Sequence, residues 1–385
     1  MTDLATTERI LADLIAFPTI STDSNLAMID YLAADLAALG ADIETFQDPT
    51  GAKANLFATL GPDCDGGIVL SGHTDVVPVA GQDWTSDPFV MVERDNKLFG
   101  RGTCDMKGFI AASLAIARHY RALDLERPVH FAFTHDEETG CIGGQALIAE
   151  LIAKGLRPSA AIIGEPTEMR VIEGHKGCKE ITTTFAGLEG HSSQPDLGVN
   201  AVEFAVRYVG ELMRIREDLK DRAPQGSRFD PPYTTLAVGQ LSGGVAHNVI
   251  PGVAELAWDL RCVQPGDEAF VDAAINTHVA GTLLPAMQAV HPNASITTEV
   301  VGNVIGLLPT EENEARRIVS ELTGANGTDV VAFGTEAGLF QAAGIDAVVC
   351  GPGSIVQAHK PDEFIARDQL SACLAMLRGL ERYVM

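Results

Sequence analysis

Positively charged residues are scarce in this chain of 385 residues. It has 27 Lys and Arg residues against 52 Asp and Glu residues, which gives a formal net charge of −25. A surface of that charge repels the phosphate backbone of DNA and RNA, so we expect no nucleic-acid partner. The acidic balance does not indicate the charge of a substrate, because a solvated acidic surface also serves solubility.

The sequence also lacks long apolar runs and closely spaced pairs of cysteines. No stretch approaches the roughly 18 uninterrupted apolar residues of a membrane-spanning helix. Residues 1–17 carry acids early and no basic segment before an apolar core, unlike a signal peptide. The seven cysteines are scattered without a CxxC pair, which disfavours a disulfide framework and a structural zinc knuckle. We therefore expect a protein of the reducing cytoplasm that does not associate with a membrane.

What remains is the composition of an ordinary globular protein with two domains. Apolar residues make up 46% and charged residues 21% of the chain, whose length exceeds the usual size of one domain. Short apolar segments at residues 68–71, 129–134 and 160–163 alternate with amphipathic helical segments. This alternation predicts an α/β fold, with a sheet covered by helices on both faces.

A different order of elements occupies the middle of the chain. From residue 178 to residue 303 the periodicity predicts β-α-β-β-α-β, the split order of a ferredoxin-like domain. The α/β pattern then resumes and continues to the end of the chain. We therefore predict one catalytic domain, formed by residues 1–177 and 304–385, with a smaller α+β domain inserted at residues 178–303.

Polar clusters follow the apolar strands or lie in glycine-rich turns. They occupy residues 71–75, 100–108, 134–140, 164–167 and 351–363. Taken singly, each is open to a plain structural interpretation, such as a hydrogen-bonded turn or a helix cap. Ligands in open α/β sheets bind outside the carboxyl ends of the strands, so we expect the clusters to converge.

The side chains in these clusters suit a pair of metal ions. They are two histidines and three carboxylates, namely His73, Asp105, Glu138, Glu165 and His359. This mixed nitrogen and oxygen set favours zinc, cobalt or manganese over a thiolate-rich structural zinc site. The set is too large for one open catalytic zinc and suits two metals that share a carboxylate. Glu137 then remains beside Glu138 as a candidate base, and Asp75 can orient the His73 ring.

Together these motifs resemble the M20 metallopeptidase and deacylase family. The matching segments are His73-Thr74-Asp75, residues 102–108, Asp136-Glu137-Glu138, Gly164-Glu165-Pro166 and Ala358-His359. The resemblance spans nearly the whole chain, and the ordered set of motifs is specific. It implies a zinc-hydrolase-type catalytic domain with a mixed β-sheet, and a homodimer formed through the inserted ferredoxin-like domains.

The resemblance implies two zinc ions per subunit, for which cobalt could substitute. One zinc would be held by His73, Asp105 and Glu165. The other would be held by Asp105, Glu138 and His359, so that Asp105 bridges the two ions.

Further roles near the metals follow from the same resemblance. Glu137 would act as the general base, and Asp75 would orient the ring of His73. The peptide bond between Asp105 and Met106 would be cis.

Other matches concern the substrate. Asn248 and Arg261, in the inserted domain, match positions that hold the substrate carboxylate, a task that suits an arginine fork. His191, in Gly190-His191-Ser192-Ser193, would donate a hydrogen bond to the tetrahedral oxyanion in the site of the partner subunit. Weaker candidates for the substrate pocket are Lys176, Thr335, Glu336 and Gly353. Of these, Glu336 could pair with a cationic side chain.

The predicted reaction is metal-assisted hydrolysis of a linear amide. Residues 164–167, 175–177, 190–193, 335–337 and 351–355 resemble the family branch that acts on N2-acetyl-L-ornithine more than the branch that acts on succinyl-diaminopimelate. We therefore expect release of L-ornithine and acetate, a step in arginine synthesis. Deacylation of acetylcitrulline or succinyl-diaminopimelate and cleavage of dipeptides remain open, because these reactions differ in the pocket rather than in the metal centre. A non-catalytic binding protein is disfavoured, since the candidate ligands and Glu137 are all present.

Overall fold

The structure is a computed structural model that describes residues 3–385. The strands are β1 (Asp42–Gln47), β2 (Ala54–Leu60), β3 (Ile68–His73), β4 (Val92–Arg94), β5 (Lys97–Phe99), β6 (Val129–Thr134), β7 (Ala160–Pro166), β8 (Ile172–His175), β9 (Cys178–Ala186), β10 (Gly190–His191), β11 (Thr235–Gly243), β12 (Val249–Ile250), β13 (Val253–Arg261), β14 (Ser295–Val304), β15 (Asp329–Val331), β16 (Asp346–Gly351) and β17 (Phe364–Ala366). The helices are α1 (Asp3–Ile15), α2 (Leu26–Ala38), α3 (Lys107–Tyr120), α4 (Ile142–Lys154), α5 (Ala201–Asp221), α6 (Asp267–His278), α7 (Leu284–Gln288), α8 (Glu314–Thr323), α9 (Ala337–Ala342), α10 (Arg367–Gly379) and α11 (Glu381–Val384). Within residues 3–385, no helix has the length and apolar character needed to cross a membrane.

The chain divides into two compact units. The first unit comprises the chain up to Gly174 together with Pro309–Val330 and Thr335–Met385. The second, called the inserted unit below, comprises His175–Leu308 and Val331–Gly334. Residues 175–177, 304–308 and 331–334, which the sequence analysis assigned to the catalytic domain, lie in the inserted unit.

The first unit is built around a mixed sheet in the strand order β1-β2-β6-β3-β7-β16-β8-β15. The four central strands β6, β3, β7 and β16 run parallel to one another. Strands β1 and β2 pair antiparallel at one side, and β8 pairs antiparallel with β16 at the other. The predicted α/β class is confirmed, and the parallel centre places several strand ends at one edge.

Helices cover both faces of this sheet. Leu70, Phe131 and Ile162 belong to the main hydrophobic core, to which α1, α3 and α10 also contribute. Their neighbours Val69 and Ala161 are equally buried and point to the opposite face, because side chains alternate along a strand. Helices α4 and α9 pack on that face. Burial on both faces explains why these strands read as unbroken apolar segments in the sequence.

The inserted unit has the predicted order β-α-β-β-α-β. Its four-stranded antiparallel sheet runs β11-β13-β9-β14, and β9-α5-β11-β13-α6-β14 is the order along the chain. Phe204 and Tyr208 lie one turn apart on α5 and pack with Leu256 and Trp258 of β13 in one hydrophobic core. Helix α5 begins where the side chain of Asn200 accepts a hydrogen bond from a backbone N–H of the first turn.

A buried histidine on β6 makes the stability of the first unit depend on pH. His130 stacks on Phe57 with ring centroids 5.0 Å apart, and its Nδ1 lies 2.9 Å from the Thr59 hydroxyl. Burial lowers the pKa of His130 from 6.5 to about 4. The pKa of His130 is lower in the folded chain than in the unfolded chain. The stability contributed by its neutral imidazole is therefore fully present above about pH 6.5 and is lost as the pH falls towards about 4.

We expect the substitution His130→Phe to reduce this pH dependence. Protonation of the unfolded chain should lower the free energy of unfolding of the native protein by about 2 kcal/mol between about pH 7 and pH 5 through His130 alone. The variant lacks the titrating group, so its loss over the same range should be smaller by that amount. Urea unfolding of the metal-free proteins at the two pH values measures the difference. An equal loss in both proteins would show that His130 is not the titrating group.

Candidate metal centre

Adjacent strand ends bring the first candidate ligands together. His73 is the last residue of β3 and pairs with Thr134, the last residue of β6. The acidic turn Asp136-Glu137-Glu138 follows β6, and Glu165 lies at the end of β7, on the other side of β3. Parallel strands end at the same edge of a sheet, which is where ligands of α/β proteins bind.

Asp105 lies between two histidines. Its Oδ1 is 3.0 Å from His73 Nε2, and its Oδ2 is 3.3 Å from His359 Nε2. Asp105 is buried in the loop before α3, and the peptide bond that joins it to Met106 is cis. Each oxygen of this carboxylate therefore faces a different imidazole, as a bridging ligand requires.

The other two carboxylates each lie near a different histidine. Glu165 Oε1 is 3.8 Å from His73 Nε2, whereas Glu138 Oε2 is 3.0 Å from His359 Nε2. The structure thus brings all the predicted metal ligands together in two groups that share Asp105. Their assignment as ligands remains a prediction.

The cluster carries more negative charge than its own residues neutralise. Burial raises the pKa of Glu137, Glu138 and Glu165 above the ordinary value, and neighbouring carboxylates, Asp105 among them, raise it further. Glu165 Oε1 is buried and has no hydrogen-bond partner within residues 3–385. A buried carboxylate oxygen without a partner is costly unless a cation lies beside it. The donor set and this orphaned oxygen fit divalent metal ions.

The His73 ring is held in the orientation that a metal ligand needs. Its Nδ1 donates a hydrogen bond to the backbone carbonyl of Asp75 over 2.8 Å, and the Asp75 carboxylate lies 3.6 Å from the same nitrogen. A carbonyl only accepts, so Nδ1 carries the proton. In the neutral ring the lone pair then lies on Nε2, which faces Asp105.

The Asp75 carboxylate also fixes the acidic turn, a role that the sequence analysis missed. It accepts hydrogen bonds from the backbone N–H groups of Glu137 and Glu138 over 3.1 and 3.3 Å, and from the Ser21 hydroxyl over 2.7 Å. Asp75 therefore sets the positions of His73 and of both glutamates. Its buried place beside three donors explains why a carboxylate is required there.

Glu137 lies inside the same cluster. Its carboxylate belongs to a group with His73 and Glu165 in which the possible ligand atoms all lie within 4.8 Å of one another. A second such group contains His73, Asp105 and Glu138. The position of Glu137 permits either metal binding or proton transfer at this candidate site.

Comparisons with known proteins show the family of this chain. The model of "Peptidase family M20/M25/M40" matches residues 69–381. The chain belongs to peptidase family M20. Acetylornithine deacetylases of Klebsiella pneumoniae (strain 342) and Salmonella heidelberg (strain SL476) are 39% and 38% identical to it over 359 residues, which cover 91% of each chain. The chain is accordingly a metal-dependent amidohydrolase.

The fold is also that of a solved M20 enzyme. The M20 family metallo-carboxypeptidase Sso-CP2 of Sulfolobus solfataricus superimposes with a TM-score of 0.77 over 97% of this chain and 98% of its own. The two sequences are 18% identical, so this likeness concerns the fold alone.

Glu336 lies inside the first unit of this M20 chain rather than in an open pocket. It is 1% exposed, and its carboxylate accepts hydrogen bonds from Ser71 of β3 over 2.5 Å and from Thr134 of β6 over 2.9 Å. Glu336 therefore joins β3 and β6, the two strands that end at the candidate metal centre, through these hydrogen bonds. This placement does not favour direct pairing with the side chain of a substrate.

Two other residues proposed for the substrate pocket, Thr335 and Gly353, have structural roles in the first unit. Thr335 is fully buried, and its hydroxyl accepts a hydrogen bond from the backbone N–H of Ala337 at the start of α9. Gly353 has a φ of +89°, and a Cβ there would lie 2.6 Å from the Cys104 sulfur. Glycine is therefore required next to the loop that carries Asp105.

The remaining candidates lie in the inserted unit. His191 pairs with Val249 between β10 and β12, and the backbone carbonyl of Asn248 accepts from the N–H of Ser192. The backbone segments of His191 and Asn248, far apart in the sequence, are therefore neighbours, and both residues are exposed.

Lys176 and Arg261 have partners within the inserted unit. Lys176 Nζ donates to the Pro231 carbonyl over 2.9 Å, which holds the segment before β11. Arg261 ends β13, is partly buried and donates through Nε to Asp259 over 3.0 Å. A substrate role for either residue remains a prediction.

Proposed function

We propose that this chain is an acetylornithine deacetylase with two zinc ions, which hydrolyses N2-acetyl-L-ornithine to L-ornithine and acetate in arginine synthesis. The observation that carries the proposal is Asp105, whose two oxygens face two different histidines. The relatives named acetylornithine deacetylase, which cover most of the chain, support the substrate. Cobalt suits the same nitrogen and oxygen donors and should substitute for zinc.

The proposed ligands form two sets, one for each metal ion, according to which side chains lie close to one another. His73, Asp105 and Glu165 would hold one ion, and Asp105, Glu138 and His359 would hold the other. When bound, such a pair of ions lowers the pKa of water and polarises the amide carbonyl.

Proton transfer is the proposed task of Glu137. Its carboxylate would take a proton from the attacking water and deliver it to the leaving amine, so that one group serves as base and then as acid. The hydrogen bond from its backbone N–H to Asp75 keeps the residue beside the cluster. This position supports a role for the same carboxylate in both steps.

Substrate binding is proposed to involve the inserted unit. Arg261 uses Nε for Asp259, and its terminal nitrogens remain suited to a bidentate contact with the α-carboxylate of the substrate. Asn248 would donate a second hydrogen bond to that carboxylate. Both residues would bind the α-carboxylate, which all N-acyl amino acids share. They therefore support this class of substrate and do not distinguish ornithine from other amino acids.

His191 is proposed to complete the site of a partner subunit in a homodimer. The Ser193 backbone N–H lies 3.2 Å from His191 Nδ1 and donates to it, so in the neutral ring Nε2 carries the proton. An exposed ring with Nε2–H can donate a hydrogen bond to a tetrahedral oxyanion. The resemblance to M20 enzymes supports action across the subunit interface.

A subunit-mixing experiment tests this role. The variants His191→Ala and Glu137→Ala should each keep the metals and lose activity. If His191 acts in trans, a mixed dimer contains one site with Glu137 from one chain and His191 from the other, and activity should return up to about half of the native value per mixed dimer.

The same mixture has a clear opposing outcome. If His191 acts within its own chain, every site in a mixed dimer lacks one of the two groups. Mixed dimers that are verified by differential tagging and show no recovered activity would refute the trans assignment. A native protein that is monomeric at assay concentration would refute the dimer itself.

A substrate screen tests the proposed function. The purified zinc-loaded protein is assayed for acid release from N2-acetyl-L-ornithine, N-acetylcitrulline, N-acetylmethionine, N-succinyl-diaminopimelate and a dipeptide. We expect the highest kcat/KM with N2-acetyl-L-ornithine. A higher value with another compound would reassign the substrate, and no hydrolysis of any would contradict catalysis.

A further inference from the structure

The backbone of His359 is held from outside its own loop. His359 has a φ of +62°, a left-handed conformation that is unfavourable for a residue other than glycine. Its carbonyl accepts a hydrogen bond from the side-chain amide of Gln82 over 2.8 Å. The neighbouring Thr85 donates to Asp362 through both its backbone N–H and its hydroxyl. Hydrogen bonds from residues 82–85 thus hold the loop of residues 359–362, which carries this proposed ligand.

Gln82 is itself held by a buried arginine. Its Oε1 accepts hydrogen bonds from Arg101 Nη2 over 2.6 Å and from Trp84 Nε1 over 3.1 Å. Arg101 is 1% exposed, and its guanidinium lies 5.1 Å from the centre of the Trp84 ring. Arg101 Nη1 also donates to the carbonyl of Lys360, next to His359.

The same arginine reaches the loop of Asp105 through Glu363. Arg101 Nη1 donates to Glu363 Oε2 over 2.7 Å. The buried Glu363 carboxylate also accepts from the backbone N–H groups of Gly102, Cys104 and Asp105 over 3.1, 2.8 and 3.0 Å. Each oxygen of Glu363 therefore accepts two hydrogen bonds. The result is a continuous path of hydrogen bonds from the peptide of His359 to the peptide of Asp105.

We propose that Gln82, Arg101 and Glu363 form a positioning network that sets the distance between the two metal ligands Asp105 and His359. These ligands come from loops more than 250 residues apart in the sequence, and no helix or strand contains both. The network joins their backbones directly, and none of its side chains lies among the proposed ligands. The inference rests on the proposed ligand set.

The network should act on one metal more than on the other. In the proposed ligand set His359 would hold only the ion shared with Asp105 and Glu138, whereas His73 and Glu165 would hold the other ion. Removal of a partner that orients a metal ligand typically lowers the metal affinity 10- to 100-fold. Gln82 is the member to replace, because it is partly exposed and its loss leaves the buried pair of Arg101 and Glu363 intact.

The test compares Gln82→Met with the native protein by titration of the metal-free full chain with Co²⁺. Absorbance follows binding, elemental analysis gives the stoichiometry, and thermal unfolding of the metal-free form checks the fold. Gln264→Met is the matched control. The Gln264 amide also donates to a backbone carbonyl, that of Arg222, over 2.9 Å, but it lies in the inserted unit.

Gln82→Met should raise one of the two Co²⁺ dissociation constants by about 10- to 100-fold and leave the other within about twofold. The metal-free Tm of Gln82→Met should match the native value, as should both Co²⁺ dissociation constants of Gln264→Met.

Unchanged dissociation constants in Gln82→Met, with two ions bound by the native protein, would overturn the network but not the proposed ligand set. A parallel rise of both constants with a lower metal-free Tm would also overturn it, by showing a general structural role. A native protein that binds no Co²⁺ would overturn the proposed ligand set and the network with it.

Discussion

The substitution Glu137→Gln should leave both metals bound and lower kcat by about 10²- to 10⁴-fold, the usual contribution of a general base. Glutamine has nearly the same shape and keeps the backbone hydrogen bond to Asp75. It cannot accept a proton at the side chain, so the loss falls on the chemical step. KM should change much less than kcat, because the proposed substrate contacts involve other residues.

Steady-state kinetics and elemental analysis on one preparation check this result. Glu150→Gln, an equal change of charge at an exposed position on α4, is the matched control and should behave as the native protein. Turnover close to native in Glu137→Gln, with both metals present, would remove the proton-transfer role. Loss of one metal would instead show that Glu137 is a ligand, a role that its distance from His73 and Glu165 permits.

The substitution Asp105→Ala should abolish binding of at least one metal and with it all measurable hydrolysis. Both imidazoles of the site face this carboxylate, so its loss removes a ligand from each group. His73 and His359 would also lose the acceptor that now lies beside each Nε2.

Metal content after removal of excess zinc gives the answer. The native protein should retain two zinc ions per chain and Asp105→Ala at most one, with the circular dichroism spectrum unchanged. The control is Asp124→Ala, which removes an exposed acid from the first unit. Two zinc ions retained by Asp105→Ala would refute the bridging assignment.

Much of the site could be predicted because its residues follow recognisable strands. His73 and Glu165 each end a segment that is apolar on both faces, and the acidic turn with Glu137 follows a third. Parallel pairing then places these residues together without further information. The α/β class and the order of elements in the inserted unit followed from periodicity in the same way.

The supporting contacts could not be predicted, because they join backbone groups far apart in the sequence. The Asp75 carboxylate accepts from an N–H 62 residues away, and the Glu363 carboxylate from an N–H 258 residues away. No spacing rule links such pairs before the fold is known. Glu336 is a related case: its acidic side chain suggested a pocket residue, and only the fold shows that it is buried and hydrogen-bonded to Ser71 and Thr134.

Stepwise addition of zinc to the metal-free protein tests the central claim most directly. Acetate release from N2-acetyl-L-ornithine is measured at each ratio of zinc to chain, together with the zinc that remains bound. A two-metal amidohydrolase predicts little activity without zinc and an activity that reaches its maximum when two ions are bound per chain. Full activity in the metal-free protein, or a maximum at a single bound ion, would contradict it.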